Sequence, residues 1–244
     1  ITYSSGNHAQ AVALSGKLRG VRAVVVMPTT APKVKRDGAE RLGAEVIYEG
    51  TTSLERRAKA EEIAEEQGLV IVPPFDHRHI IAGQGTVGLE IAREWPDVDL
   101  VLAPIGGGGL ASGVAASIKR LLPAARVIGV EPVGAASMRK ALDEERPVVI
   151  KKIDTIADGL APVIAGELTY EHAFSLMDDV VTVSDDAIRE ATSLLVSQQK
   201  LIVEFSGAAA TAALLSKAVE AEDQRVAVVI SGGNLDPTLL AGMA

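Results

Sequence analysis

The sequence has 244 residues, of which 48% are hydrophobic and 23% charged, and its formal net charge is -8. This composition predicts a globular chain with a sizeable core, and its acidic balance and lack of long apolar runs exclude nucleic-acid binding and membrane spans. The absence of cysteine excludes disulfides, thiolate metal sites and cysteine nucleophiles, and it is typical of a cytoplasmic protein.

Apolar, β-branched runs alternate with stretches of helical period along the whole chain. The predicted strands are residues 23–27, 45–48, 69–72, 100–105, 126–130, 180–183 and 226–230. The predicted helices are residues 7–18, 32–42, 53–66, 84–94, 110–121, 185–199 and 206–221. Continuous apolar strands separated by helices are typical of parallel sheets covered on both faces. The pattern therefore predicts an α/β fold of two lobes, each an open, mostly parallel sheet flanked by helices.

Two prolines, Pro73 and Pro74, end the third predicted strand and mark a boundary between the lobes. We predict a smaller lobe over residues 1–75 and a larger lobe over residues 76–244. The opening residues 1–4 read as the end of a strand that enters a polar turn. We therefore expect that the smaller lobe is incomplete here and that a segment preceding residue 1 is missing from this sequence. Residues 144–169 are less regular and are expected to wrap over a surface near the functional site.

A run of four glycines follows the fourth predicted strand and opens a helix. These residues are Gly106, Gly107, Gly108 and Gly109, with Leu110 next in sequence. Such a backbone can approach an anion closely and can aim free amides and the positive helix end at it, so the run predicts a phosphate site. A tight turn without a ligand is one alternative. A dinucleotide site is another, since the run fits a loose glycine fingerprint and Glu131 ends the following strand.

Two further polar turns also lie where predicted strands end. The segment 4–10 reads Ser-Ser-Gly-Asn-His-Ala-Gln, and ordinary helix capping is its alternative explanation. The segment 231–234 reads Ser-Gly-Gly-Asn and follows the last predicted strand, at the edge where open α/β sheets bind ligands. Each turn is a weak signal alone.

Nine short motifs in series resemble the threonine dehydratase and serine racemase group of fold type II pyridoxal-phosphate enzymes, which share the architecture of the tryptophan synthase β subunit. The motifs keep their order and spacing along nearly the whole chain. They are residues 4–10, 31–35, 43–46, 74–76, 81–86, 106–110, 130–132, 156–159 and 231–234. A series of this kind is far more specific than any one of its members.

The resemblance implies roles for particular residues toward pyridoxal phosphate and a small amino-acid substrate. The loop of Gly106, Gly107, Gly108, Gly109 and Leu110 would hold the phosphate. Asn7 would bond the phenolic oxygen, and Ser231 with Gly232 would face the pyridine nitrogen. Glu204 would lie near the ring, with an equally weighted reading as a carboxylate at a helix N-terminus. The substrate carboxylate would bind Ser4, Ser5, Gly6, Asn7 and His8, with Ser5 as the catalytic hydroxyl that handles a proton.

Two features depart from the family pattern. The lysine that holds the cofactor lies in an S-x-K-x-R-G-A motif upstream of the Ser-Ser-Gly-Asn-His turn in the family, and no such motif precedes residues 4–8 here. Lys17 is expected at the end of a helix, where a cation complements the dipole, and Lys33 and Lys35 are expected at a solvated helix start. None of the three is assigned that role. Some relatives bind a divalent cation, magnesium or calcium, at a position matched here by Glu131 and the Ala135 carbonyl. The third ligand is replaced by Ser137, and the alternative for Glu131 is a carboxylate bonded to helix amides.

The resemblance implies an ammonia-lyase that eliminates water from L-threonine or L-serine, giving a 2-oxo acid and ammonia. A serine racemase or a hydroxyaspartate dehydratase of the same family is the related alternative. A non-catalytic phosphate-binding or amino-acid-binding α/β protein is the alternative from another class. The family also implies a homo-oligomer, either a dimer or a tetramer.

Overall fold

Parallel strands and helices alternate along residues 1–242, the part of the chain that the computed structural model describes. This arrangement confirms the predicted α/β fold. Contacts divide the chain into two units. The first comprises Ile1–Pro74 and Asn234–Leu240, and the second comprises Phe75–Gly233 together with residues 241–242. The boundary predicted between residues 75 and 76 stays a prediction.

The first unit contains a three-stranded parallel sheet in the order β1-β2-β3. Its strands are β1 (Thr2–Tyr3), β2 (Val24–Met27) and β3 (Glu45–Tyr48). Its helices are α1 (Asn7–Arg19), α2 (Lys33–Arg41) and α3 (Ser53–Gln67). Successive side chains of a strand point to opposite faces. Val24 and Val26 accordingly pack with Ile63 of α3, whereas Val25 and Met27 pack with Ala9 and Ala39 of α1 and α2.

The strand predicted at residues 69–72 is not present. This segment is extended only next to Ile1, whose amino group donates to the Val70 carbonyl at 2.9 Å and whose carbonyl accepts from Val72 N at 2.8 Å. The two prolines that follow have no amide hydrogen and cannot continue such a ladder. A one-residue pairing is therefore all that forms.

The second unit contains a four-stranded parallel sheet in the order β6-β5-β4-β7. Its strands are β4 (Leu100–Pro104), β5 (Arg126–Pro132), β6 (Asp179–Val183) and β7 (Val226–Val228). Its helices are α4 (Arg78–Glu94), α5 (Gly109–Leu121), α6 (Ser137–Asp143), α7 (Glu167–Leu176), α8 (Asp185–Ser197) and α9 (Phe205–Leu215). Three short 3-10 turns are Val133–Ala135, Asp158–Leu160 and Pro237–Gly242, the last of them largely in the first unit.

The strand order of this sheet reverses at β4. Strands β5 and β6 lie on one side of β4, whereas β7 returns to its other side. In open α/β sheets, ligands bind outside the carboxyl ends of the strands at such a switch point. The two turns that leave β4 and β7 are the glycine loop and the segment that contains Ser231, so both lie at this edge of the sheet.

Candidate cofactor and substrate sites

The glycine loop is packed tightly by the protein on one side. A Cβ at Gly107 would lie 2.2 Å from the Phe75 ring, and one at Gly108 would lie 2.7 Å from Thr169 Cβ. Gly108 also has a φ of 96°, a left-handed conformation that favours glycine. A Cβ at Gly106 would lie 3.0 Å from the Gly159 carbonyl oxygen. The loop can therefore carry no side chains on the face that packs against these neighbours.

The amides of the same loop have no protein acceptor. Within residues 1–242, no amide of the segment 106–111 donates a hydrogen bond, and the first backbone bond of α5 runs from Ser112 N to the Gly108 carbonyl at 2.8 Å. The first amides of a helix lack intrahelical partners and attract anions. The consecutive amides without acceptors at the start of α5 are suited to donate hydrogen bonds to the oxygens of a phosphate.

The turn after β7 places Ser231 and Gly232 at the same sheet edge. Gly232 has a φ of 45°, and its carbonyl accepts from Glu204 N at 3.2 Å. A Cβ at Gly207 in α9 would lie 2.3 Å from the Ser231 carbonyl oxygen, so the start of α9 packs directly against this turn. Glu204 precedes α9 and is 3% exposed. This is the position that the alternative reading, a carboxylate at a helix N-terminus, requires, although the Glu204 side chain makes no capping hydrogen bond.

The loop of residues 4–8 in the first unit connects β1 to α1. Ser4 N donates to the Val26 carbonyl at 3.0 Å, and Ser4 Oγ accepts from Gly6 N at 3.3 Å. The hydroxyl of Ser4 is therefore used to shape the turn. In the described part of the chain, the amides of Ser5, His8 and Ala9 donate to no protein acceptor. These amides can donate hydrogen bonds to a carboxylate, which the positive end of α1 also attracts.

Asn7 and His8 are both oriented by hydrogen bonds from within the first unit. Asn234 Nδ2 donates to Asn7 Oδ1 at 2.6 Å, which fixes the plane of the Asn7 carboxamide. His8 Nε2 lies 3.3 Å from the Val72 carbonyl. Burial lowers the pKa of the His8 imidazole, and the bond to Val72 opposes this only in part. His8 is therefore a neutral group at neutral pH and not a cation for a substrate carboxylate.

Residues 1–232 match the model of the pyridoxal-phosphate dependent enzyme family. The chain belongs to this family. It is 42% identical over 240 residues to the L-threonine ammonia-lyase of Thermotoga maritima, covering 98% of this chain and 60% of the relative. It is 40% identical over 247 residues to the catabolic L-threonine dehydratase of Staphylococcus aureus, covering 100% of this chain and 71% of the relative.

Solved structures of the same family have the same fold. Maize serine racemase superimposes with a TM-score of 0.92 at 37% identity, with 99% of this chain and 74% of the racemase covered. Threonine deaminase isoform 2 of Solanum lycopersicum, in its processed form, gives 0.91 at 40% identity, with 100% and 72% covered. These matches confirm the predicted family and its fold type II architecture. The chain spans 60% of the length of the Thermotoga relative.

The family cofactor, pyridoxal phosphate, fits the residues of the second unit. The free amides of the glycine loop suit a phosphate, and the Ser231 hydroxyl follows the neighbouring strand β7 at the same edge. The roles of individual residues toward the cofactor and substrate stay predictions.

No helix within residues 1–242 is long and apolar enough to cross a membrane.

Lys35 does not lie where the sequence predicted. The expectation of a solvated helix start holds for Lys33, which is exposed and pairs with Asp37, but Lys35 is only 2% exposed. Its aliphatic stem lies against Gly6, where an added Cβ would be 2.3 Å from Lys35 Cδ. The reason is helical geometry, since Lys35 occupies the buried face of α2 near Ala39. A lysine stem thus supports the loop of residues 4–8.

Glu131 is bonded as the alternative reading expected. It is 0% exposed, and its Oε1 and Oε2 accept from Met138 N and Arg139 N, each at 2.8 Å, at the start of α6. Burial raises the pKa of Glu131 to about 7, against the backbone amide bonds and the Arg139 charge, which lower it. Because both carboxylate oxygens of Glu131 accept hydrogen bonds from α6 amides, they do not bind the ribose of a dinucleotide. The main support for the dinucleotide alternative is therefore removed.

The same residues do not fit a divalent cation. Ala135 and Ser137 are as fully buried as Glu131, and Ser137 Oγ has no partner in the described residues. One carboxylate, one carbonyl and one hydroxyl fall short of the six or more oxygens that magnesium or calcium needs, and the burial leaves no place for water ligands. Across residues 1–242, no group of three or more His, Cys, Asp or Glu side chains could hold a metal ion.

Magnesium or calcium chloride is therefore expected to leave the thermal unfolding midpoint unchanged. A cation bound only to the folded state at 100 times its dissociation constant would add about 2.7 kcal/mol of stability. The measurement is a melting curve with millimolar salt and with EDTA, at constant ionic strength. The Glu131→Gln variant is the control. A cation-dependent rise that this variant abolishes would contradict the expectation.

Proposed function

We propose that this chain provides the cofactor-binding and substrate-binding residues of an ammonia-lyase that acts on L-threonine or L-serine. The reaction removes the Cα proton and the β-hydroxyl of the substrate, and hydrolysis then yields a 2-oxo acid and ammonia. The observation that carries the proposal is the row of amides without acceptors at residues 106–111, beside the turn of Ser231 at the switch point of the sheet. The names of the threonine ammonia-lyase relatives support this choice of reaction.

When bound, pyridoxal phosphate supplies the electron sink for removal of the Cα proton. The amides of Gly106, Gly107, Gly108, Gly109 and Leu110 bind its phosphate. The Ser231 hydroxyl, beside Gly232 and the start of α9, would interact with the pyridine nitrogen. Because a hydroxyl is neutral, it does not enforce a protonated ring as a carboxylate would. This arrangement favours elimination over reactions that need a stronger electron sink.

The substrate carboxylate binds the amides of the loop from Ser4 to His8 at the start of α1. Ser4 shapes the turn, and the Ser5 hydroxyl, which has no partner in the described residues, is the group that moves a proton. Neutral His8 contributes position and not charge. The resemblance assigns Asn7 to the phenolic oxygen and Glu204 to the neighbourhood of the ring, and both assignments are part of the proposal. No residue of the printed sequence is assigned the role of the family lysine.

A serine racemase is the second candidate, and the superposition on maize serine racemase favours it. A racemase would use the same loop and cofactor and would return the proton to the opposite face of Cα. The hydroxyaspartate dehydratase reading changes only the substrate side chain.

The proposed reaction includes no divalent cation, because Glu131 is already bonded to α6. The homodimer or tetramer and the cytoplasmic location also stay predictions.

The test is an assay on the protein and on the product of its complete gene. We expect the complete gene product, loaded with pyridoxal phosphate, to convert L-threonine into equal amounts of 2-oxobutanoate and ammonia and to leave D-threonine unchanged. Borohydride reduction and peptide mapping then identify the lysine that holds the cofactor. A complete gene product that binds the cofactor and yields neither 2-oxo acid nor D-serine from L-threonine, L-serine or hydroxyaspartate would establish the non-catalytic reading.

A further inference from the structure

The glycine loop has a protein partner on its carbonyl side that the sequence did not reveal. The Thr169 hydroxyl donates to the Gly107 carbonyl at 2.7 Å, with the Gly166 carbonyl as a more distant acceptor at 3.2 Å. Thr169 is 0% exposed and lies in the first turn of α7. Its hydroxyl is the only side-chain donor to the carbonyls of residues 106–109 in the described part of the chain.

This hydrogen bond determines which way one amide of the loop points. The C=O of Gly107 and the N–H of Gly108 belong to one trans peptide plane, and they point in opposite directions. A donor on the Gly107 oxygen therefore holds the Gly108 N–H on the other side of the loop, where it has no protein acceptor. A peptide between two glycines turns over easily, because neither residue has a Cβ to restrict it. Without Thr169, this peptide could present its oxygen to an anion instead of its N–H.

Thr169 is itself held by Asp76, which lies far from it in sequence. Asp76 Oδ1 accepts from Leu168 N at 2.9 Å and from Thr169 N at 3.2 Å, and Asp76 Oδ2 accepts from Glu167 N at 3.1 Å. These are the first amides of α7, which a carboxylate stabilises through the helix dipole. A Cβ at Gly166 would lie 2.3 Å from Asp76 Cγ, so glycine permits this close approach. The carboxylate thereby fixes the helix turn that carries the hydroxyl.

We propose that Thr169, held by Asp76, is a positioning residue for phosphate binding. It keeps the Gly107–Gly108 peptide turned with its N–H toward the phosphate. The inference rests on the proposed function, in which the glycine loop binds the phosphate of pyridoxal phosphate. Thr169 touches neither substrate nor cofactor in this role, because it acts through the backbone of the loop.

The test compares Thr169→Val, which keeps the shape and loses the hydroxyl, with Thr169→Ser, which keeps the hydroxyl. Dissociation constants for pyridoxal phosphate and for unphosphorylated pyridoxal are measured by titration calorimetry. We expect Thr169→Val to weaken binding of pyridoxal phosphate about tenfold and to leave binding of pyridoxal unchanged, since one hydrogen bond contributes at this level. Thr169→Ser is expected to bind both as the original protein does. The ³¹P resonance of bound pyridoxal phosphate should move in Thr169→Val and return in Thr169→Ser.

The outcomes separate this inference from the proposed function. If the unsubstituted protein binds pyridoxal phosphate no better than pyridoxal, the proposed phosphate site is wrong, and the inference about Thr169 is wrong with it. A preference for pyridoxal phosphate that Thr169→Val retains in full would overturn only the positioning role, and so would equal losses for both compounds. If Thr169→Val does not fold, Asp76→Asn carries the same test. Its weakened hold on α7 should lower affinity for pyridoxal phosphate several-fold and leave pyridoxal unaffected.

Discussion

Replacement of Gly107 by alanine is expected to abolish phosphate binding and to destabilise the second unit by about 3 kcal/mol. The new Cβ would lie 2.2 Å from Cγ and Cδ1 of Phe75, which is too close for any adjustment of the loop alone. Phe75 cannot withdraw freely, because its own backbone lies against Gly109. The strain therefore has to move the loop and redirect its amides. Calorimetric titration with pyridoxal phosphate and urea unfolding measure the two effects.

Gly83→Ala is the matched control, since it adds the same methyl group. Gly83 lies inside α4 and has no atom within 4 Å of the position of an added Cβ. Alanine in an open helix interior is expected to stabilise the protein by about 0.5–1 kcal/mol. If Gly107→Ala lowers the free energy of unfolding and Gly83→Ala raises it, the Gly107 effect is due to the contacts of the added methyl group. Unchanged cofactor affinity in Gly107→Ala would show that the loop does not bind the phosphate.

Most of the strands and most of the helices follow from local pattern. The strand predicted at residues 45–48 is β3 (Glu45–Tyr48), and the strand predicted at residues 23–27 is β2 (Val24–Met27). The predicted ends of helices are wrong where a contact determines the end. Helix α4 begins at Arg78 rather than near Gln84, because His77 Nδ1 accepts from His79 N and caps it. Helix α9 ends at Leu215, well before the predicted residue 221. The local pattern does not predict helix α6, because the start of α6 depends on the distant Glu131.

The candidate site was only partly visible in the sequence. Glycine runs and strand-end turns show where the backbone can meet a ligand, since they depend on residue type and local order. Phe75, Asp76 and Thr169 shape the glycine loop through contacts between segments far apart in the chain. No local pattern reveals such pairs. The burial of Lys35 is hidden from the sequence for a related reason, because it depends on how α2 packs beside Gly6.

The Ser5→Ala variant is expected to lower the rate of elimination by roughly 100-fold to 10,000-fold, the usual contribution of one proton-transfer group. The Ser5 hydroxyl has no partner in the described residues, whereas the Ser4 hydroxyl accepts from Gly6 N and maintains the turn. Removal of the Ser5 hydroxyl should therefore cost catalysis and little stability. The measurement is kcat for L-threonine on the complete gene product, together with its melting curve.

Ser15→Ala is the control for Ser5→Ala, since Ser15 is exposed on α1 and makes no hydrogen bond through its side chain in the described structure. It should leave kcat unchanged. A proton-transfer role predicts a fall in kcat with cofactor affinity preserved, because the glycine loop that binds the phosphate is not altered. A role in binding the carboxylate predicts a rise in KM at constant kcat. Normal kinetics in Ser5→Ala would refute both roles of the Ser5 hydroxyl.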